Sequence, residues 1–263
     1  MVRRGRCLLT VSMRVMSAGD GYKYLLRTVA TGDGDRVLST PLTRYYTEEG
    51  TPPGRWLGSA VTALGGGTIA VGDEVTGNLD ASGAPSVFNF TLAADTVLLL
   101  DALGSDEYGL NWTLNGPRGL EINQQRFYAS DGGYYYYGIA SPVRFLAGDY
   151  ALTIAGDAGQ AFDFRLVDAL ASATPIDFDV SVAGQLDPGN ALKVFAIDAA
   201  AGDVADLVVT SSWDGGAILI DPDGKVVMGP EYAGTRDAIA FARTGTYLFV
   251  VSGPRYQVEP VDY

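Results

Sequence analysis

"GQLDPGNALKVFAIDAAAGD" at residues 184–203 answers "GNLDASGAPSVFNFTLAAD" at residues 77–95, so that Gly184 stands 107 positions after Gly77. Each stretch opens on Gly-x-Leu-Asp, passes through turn residues and enters a run where apolar and polar side chains alternate. Alternation of period two is the pattern of a half-buried strand. Further along, "GDYALTIAGDAGQAFDFRLVD" (148–168) is answered by "GTYLFVVSGPRYQVEPVD" (245–262), a shift of 97. The order is the same both times. Self-similarity at a fixed period marks repeated structural units, and about 90–110 residues is the size of one β-sandwich.

The surrounding sequence agrees. "TVLLLDAL", "DLVVTS", "AILIDPDGKVV", "DAIAFA" and "TYLFVVSG" are short apolar runs separated by Gly, Pro, Asp and Asn. Many short strands at this spacing mean an all-β fold. "DPDG" at 221–224 is a turn between two strands. The chain thus reads as two tandem sandwiches, 69–170 and 171–263, behind a short, partly helical N-terminal segment, 1–68. In that segment Tyr22, Leu25, Leu26 and Val29 fall at helical spacing, with Asp20 as N-cap and Gly32 as stop. "RWLGSAVTALG" fits one or two further helical turns, and Gly65-Gly66-Gly67 reads as a hinge.

Composition bounds the chemistry. The 263 residues are 47% hydrophobic and 19% charged, enough apolar material for a buried core. The net charge of −13 is split: residues 1–66 balance at +4 and residues 67–263 at −17. The acidic part repels a phosphate backbone. A single cysteine, Cys7, excludes an intrachain disulfide. The chain contains no histidine, which removes histidine general bases, Ser-His-Asp and Cys-His arrangements and the usual zinc and iron sites. No run approaches the ~18 apolar residues of a membrane span. "MVRRGRCLLTVSMRVM" has a basic start, but Arg14 interrupts its apolar run, so it does not fit a signal peptide.

Two resemblances cover different parts of the chain. "VFAIDAAAGDVADLVV", "AILIDPDGKVV" and "GTYLFVVSG", with "VFNFTLAADTVLLL", "NWTLNGPRG" and "GDYALTIAG" in the first copy, resemble the bacterial pre-peptidase C-terminal (PPC) domain and its tandem copies in large secreted proteins. Residues 164–190 resemble the junction between consecutive copies. This resemblance spans about 69–263. It implies a jelly-roll-like, non-catalytic accessory or structural module, extracellular or at the cell surface. The partners it implies are a polysaccharide or protein surface, with calcium a candidate ligand and no cofactor required.

The opening stretch, 16–67, resembles the N-terminus of TrwC-type (MobF) conjugative relaxases, and the likeness ends by about Thr76. By position, Tyr22 or Tyr24 match that family's first nucleophile, and Tyr45 and Tyr46 its second pair. "PPGRWLG" sits at the family's Trp-Gly corner. The resemblance implies cytoplasmic DNA nicking by tyrosine transesterification. A phenol of pKa about 10 needs activation to act as a nucleophile. The family activates the reaction with a divalent metal on the scissile phosphate, held by a downstream histidine cluster. Without histidine, the four tyrosines are expected to be idle. A fusion, a truncation or an assembled reading frame accounts for such a start.

The remaining features have ordinary readings. Tyr134–Tyr137 places two rings on each face of a strand, a binding platform or an exposed sheet face. Asp214, Asp221 and Asp223 sit in Gly-rich acidic turns and are the candidate calcium ligands, although oxygen ligands at EF-hand spacing are missing.

Overall fold

The computed structural model describes residues 66–104, 108–131, 143–209, 215–232 and 234–263 in full, and the strands at 8–17, 22–31, 37–38 and 60–62 by their backbone. The chain forms two compact units, Met1–Leu57 and Gly58–Tyr263.

In the first unit, β1 (Leu8–Ser17), β2 (Tyr22–Thr31) and β3 (Val37–Leu38) make one antiparallel sheet in the order β1-β2-β3. The helix expected over 21–30 is therefore a strand. Its ten residues pair one-for-one with β1, from Ser17↔Tyr22 to Leu8↔Thr31. Tyr22, Tyr24, Thr28, Val29 and Thr31 are aromatic or β-branched, and the neighbouring strand supplies a ladder that an isolated short helix lacks. The further helical turns are also corrected at Ala60–Thr62, which is a strand.

The second unit opens with β4 (Ala60–Thr62), β5 (Gly66–Thr68), β6 (Glu74–Asn78), β7 (Ser86–Leu92) and β8 (Thr96–Ala102). Next come β9 (Asn111–Gly116), β10 (Gly119–Arg126), β11 (Arg144–Phe145), β12 (Gly148–Ala155) and β13 (Ala161–Asp168). They form two sheets, β10-β9-β12-β7-β5 and β11-β8-β13-β6-β4. Gly66 and Gly67 thus belong to a paired strand rather than to a hinge. Gly66 has φ +111° and lies so close to β7 that a Cβ there would collide with the Val87 backbone, so only glycine fits. Between the two sheets lies a core of Phe88, Phe90, Leu100, Trp112, Leu152, Phe164 and Leu166 among others. β7 shows why: Ser86, Phe88, Phe90 and Leu92 are buried and the residues between them are exposed.

A four-residue helix, α1 (Ala169–Ser172), leads into the second repeat; the Asp168 carboxylate caps it by accepting from Ala171 N at 3.0 Å. The second repeat holds β14 (Thr174–Pro175), β15 (Gln185–Leu186), β16 (Leu192–Ala199), β17 (Val204–Val208) and β18 (Gly216–Ile220). It closes with β19 (Val226–Tyr232), β20 (Thr235–Ala240), β21 (Gly245–Ser252) and β22 (Val261–Asp262). Its main sheet, β14-β16-β21-β18-β19, has the same order, read from the other end, as β10-β9-β12-β7-β5. Both keep a short parallel edge strand, β5 on β7 and β14 on β16.

The repeat reaches single side chains. Tyr150 Oη donates to Leu146 O at 2.7 Å, and Tyr247 Oη donates to Arg243 O at 3.1 Å, a tyrosine corner in each copy. Across β7 and β12, Thr91 donates to Asp149; across β16 and β21, Thr246 donates to Asp198, both at 2.6 Å. The same cross-strand site is kept with its two side chains exchanged.

The two repeats share apolar packing. Val97 and Leu99 of β8 and Val167 of β13 point away from the first core and meet Leu192, Val194, Ile218, Ile220, Leu248 and Val250 of the second repeat's main sheet. The other face of that sheet carries Phe195, Ile197, Leu219, Phe249 and Val251, packed against Leu207 and Phe241. Sheets are thus stacked in layers, and β8 and β18 are buried along their whole length. A strand covered on both faces reads as a continuous apolar run, as "TVLLLDA" and "AILI" do.

Candidate functional site

A groove of about 680 Å³ lies in the second repeat. Its floor is the apolar face of the main sheet, at Phe195, Ile197, Phe249 and Val251. One wall is β17; the other is the irregular segment 176–183. Valines face solvent along both walls: Val180 is 57% exposed and Val208 58%. Asp177, Asp179 and Asp206 are the charged side chains of its lining, which contains no Lys or Arg. Tyr263 also lines the groove; burial pushes its phenol up from the ordinary tyrosine value. The site is apolar and elongated, with acidic walls, and converges no nucleophile and base on a common point.

A second cluster lies at the seam of the repeats. The Arg255 guanidinium carbon is 3.6 Å from the Tyr108 ring centre, 4.0 Å from that of Tyr256 and 4.5 Å from that of Tyr128. Tyr108 and Tyr128 belong to the first repeat, Arg255 and Tyr256 to the second. Arg255 is 8% exposed, so these cation–π contacts are desolvated and strong. Nearby, Ser252 Oγ donates to Asp131 O at 2.6 Å. Asp101, with no exposed surface, pairs with Arg165 and accepts from Leu192 N at 3.1 Å. Burial pushes the Asp101 carboxyl up, against the opposing pull of Arg165.

The residues singled out in the sequence are scattered. Tyr22 and Tyr24 lie on β2, two positions apart in one strand. Tyr45, Tyr46, Asp214 and the Tyr134–Tyr137 run lie outside the described residues. Asp221 and Asp223 lie together at the β18–β19 turn. Asp221 Oδ1 accepts from Asp223 N at 3.0 Å and from Lys225 N at 2.8 Å, and the Asp223 carboxylate pairs with Arg243. Among the described residues, no group of three or more His, Cys, Asp or Glu is placed to hold a metal. Also among them, no helix is long and apolar enough to cross a membrane. The groove was not found from sequence. Its only trace there is "DFDVSVA" (177–183), an alternating run that the structure leaves without a ladder.

The TrwC relaxase family model matches residues 18–94. The match supports the N-terminal resemblance and runs further than Thr76, through β4–β7 into the second unit. No curated protein matches the chain. The metal that the relaxase family uses needs histidine donors, and this sequence has none, so the residues present do not fit it.

Proposed function

We propose that the second unit is a non-catalytic contact module of the PPC type, carried behind a relaxase-like N-terminal segment. The observation that carries this reading is the duplication itself. Two copies share strand order, edge strand, tyrosine corner and cross-strand Thr–Asp site, and stack through a common apolar layer. Stacked repeats are an architecture for presenting surface. The acidic balance of residues 67–263 directs that surface toward protein or neutral polymer rather than nucleic acid. On this reading Tyr22 and Tyr24 are strand residues without an activated role.

The test is a nicking assay. The full chain is incubated with single-stranded origin-of-transfer oligonucleotides and Mg²⁺ or Mn²⁺. The expected result is no covalent protein–DNA adduct. An adduct that disappears in Tyr22→Phe or Tyr45→Phe would establish the relaxase reading instead.

A further inference from the structure

At the seam of the repeats, two exposed tyrosines that are 148 residues apart in sequence meet through their hydroxyls. Tyr108 stands just before β9, in the first repeat. Tyr256 follows β21, in a turn where Gln257 N donates to Pro254 O at 2.8 Å. The two phenol oxygens share a hydrogen bond, and the ring centres are 6.1 Å apart with 35° between the planes. Tyr108 is 54% exposed and Tyr256 56%, so a reagent in solution reaches both.

The surroundings fix the pair in place. The Arg255 guanidinium sits against both rings at the distances given above and keeps them in register. Asn190 Nδ2 donates to Gly104 O at 3.4 Å, which ties the segment before Tyr108 to the second repeat. Ser252 Oγ, at the end of β21, is tied to Asp131 O of the first. Tyr128 lies closer to Tyr108, with ring centres 4.9 Å apart. It is 5% exposed, however, and its hydroxyl accepts from Arg126 at 2.7 Å, so its place is in the packing.

We propose that Tyr108 and Tyr256 are an oxidative modification site, at which a haem peroxidase with hydrogen peroxide joins the two rings as dityrosine. Each phenol gives up one electron and its hydroxyl proton and becomes a phenoxyl radical. The unpaired electron is shared with the ring carbons next to the hydroxyl-bearing carbon. One such carbon of Tyr108 bonds to one of Tyr256, and each then passes its hydrogen to its own oxygen, which restores both aromatic rings and both hydroxyls. The chain loses two electrons and two protons, and one hydrogen peroxide takes them up to give two waters. Rings already held together couple faster than rings that must meet by diffusion. The product is a covalent staple across the seam, in a chain whose single cysteine allows it no disulfide. The staple is independent of what the unit's surface contacts.

The test treats the full chain with a haem peroxidase and equimolar hydrogen peroxide, isolates the monomer and digests it with trypsin. Tyr108 is the single tyrosine of the tryptic peptide 56–118, and Tyr256 shares the peptide 256–263 with Tyr263. The expected product is these two peptides joined, lighter than their sum by two hydrogens, with the blue fluorescence of dityrosine. Tyr108→Phe and Tyr256→Phe keep the ring packing and should each abolish it, whereas Tyr128→Phe should leave it. Unfolding the chain in urea before oxidation should also abolish it. Closing a loop of this length restricts the unfolded chain, as a disulfide does, so the linked monomer should melt at least about 5 °C above oxidised Tyr256→Phe. Any of four results overturns the proposal: no joined peptide in the oxidised monomer, the same joined peptide from Tyr256→Phe, equal yield from the urea-unfolded chain, or equal melting of the linked and unlinked proteins. No DNA or metal cofactor of the chain enters these assays, so their failure leaves the nicking result standing by itself.

Discussion

Asp101 joins the two repeats at the level of single atoms. One carboxylate oxygen receives Leu192 N from the second repeat; the other meets Arg165 on the neighbouring strand. Its folded pKa lies above the unfolded value because burial penalises the charge more than Arg165 relieves it. The fold therefore favours the protonated form. The cost of ionising Asp101 is absent below the unfolded carboxylate pKa of about 3.9 and grows as pH rises through the higher folded value. Arg165→Met removes the largest compensating influence. Its side chain is 32% exposed, which places the loss near the low end for a broken buried pair, about 3 kcal/mol at pH 7. Urea unfolding of this variant should show that loss shrinking toward pH 4. A loss equal at both pH values would assign Arg165 a packing role only. Asp221 offers a simpler case: Asp221→Ala leaves two turn amides without their acceptor and should cost about 1–2 kcal/mol, while Asp221→Asn keeps the acceptor and should cost less than half of that.

Among the elements, β8 separates what the sequence displays from what it conceals. "TVLLLDA" announces a buried strand because both faces are apolar, and the alternation of "SVFNFTL" announces a half-buried one; both are found as read. The strand β2 was concealed, because Tyr22, Leu25, Leu26 and Val29 satisfy helical spacing while the deciding factor, the pairing with β1, lies outside that window. The groove was concealed for a related reason: 177–183 carries a strand's alternation, and only the partner position shows whether a ladder exists. Nor does a sequence reveal what covers the outer face of β8. There Leu99 packs into the layer between repeats while Leu100 packs into the first core. Leu99→Ala and Leu100→Ala should therefore cost similar amounts, about 2–4 kcal/mol each by denaturant unfolding. Were the repeats independent, Leu99 would be a surface residue and its truncation would fall within about 0.5 kcal/mol of neutral.

For the molecule as a whole, the apolar layer between the repeats decides how the second unit melts. Tandem copies joined only by a linker unfold separately. Here Val97, Leu99 and Val167 on one side and Val194, Ile218 and Val250 on the other are at most 7% exposed, and separation would open all of them to water. Asp101, Arg255 and Ser252 add polar contacts across the same seam. Unfolding one repeat alone thus strips the other of a core face, and the coupling makes a single transition the expected outcome. Calorimetry reads this directly. At about 0.7 kcal/mol per residue near 60 °C, a cooperative unit of about 200 residues has a van't Hoff enthalpy of roughly 140 kcal/mol, and a single repeat roughly half that. The main transition should show the larger value. Val250→Asp places a charge in the shared layer; it should lower the melting temperature and split the transition into two, each near the smaller enthalpy. Two transitions in the unaltered chain would mean that the layer, although buried, contributes little coupling, and that the repeats work as separate modules.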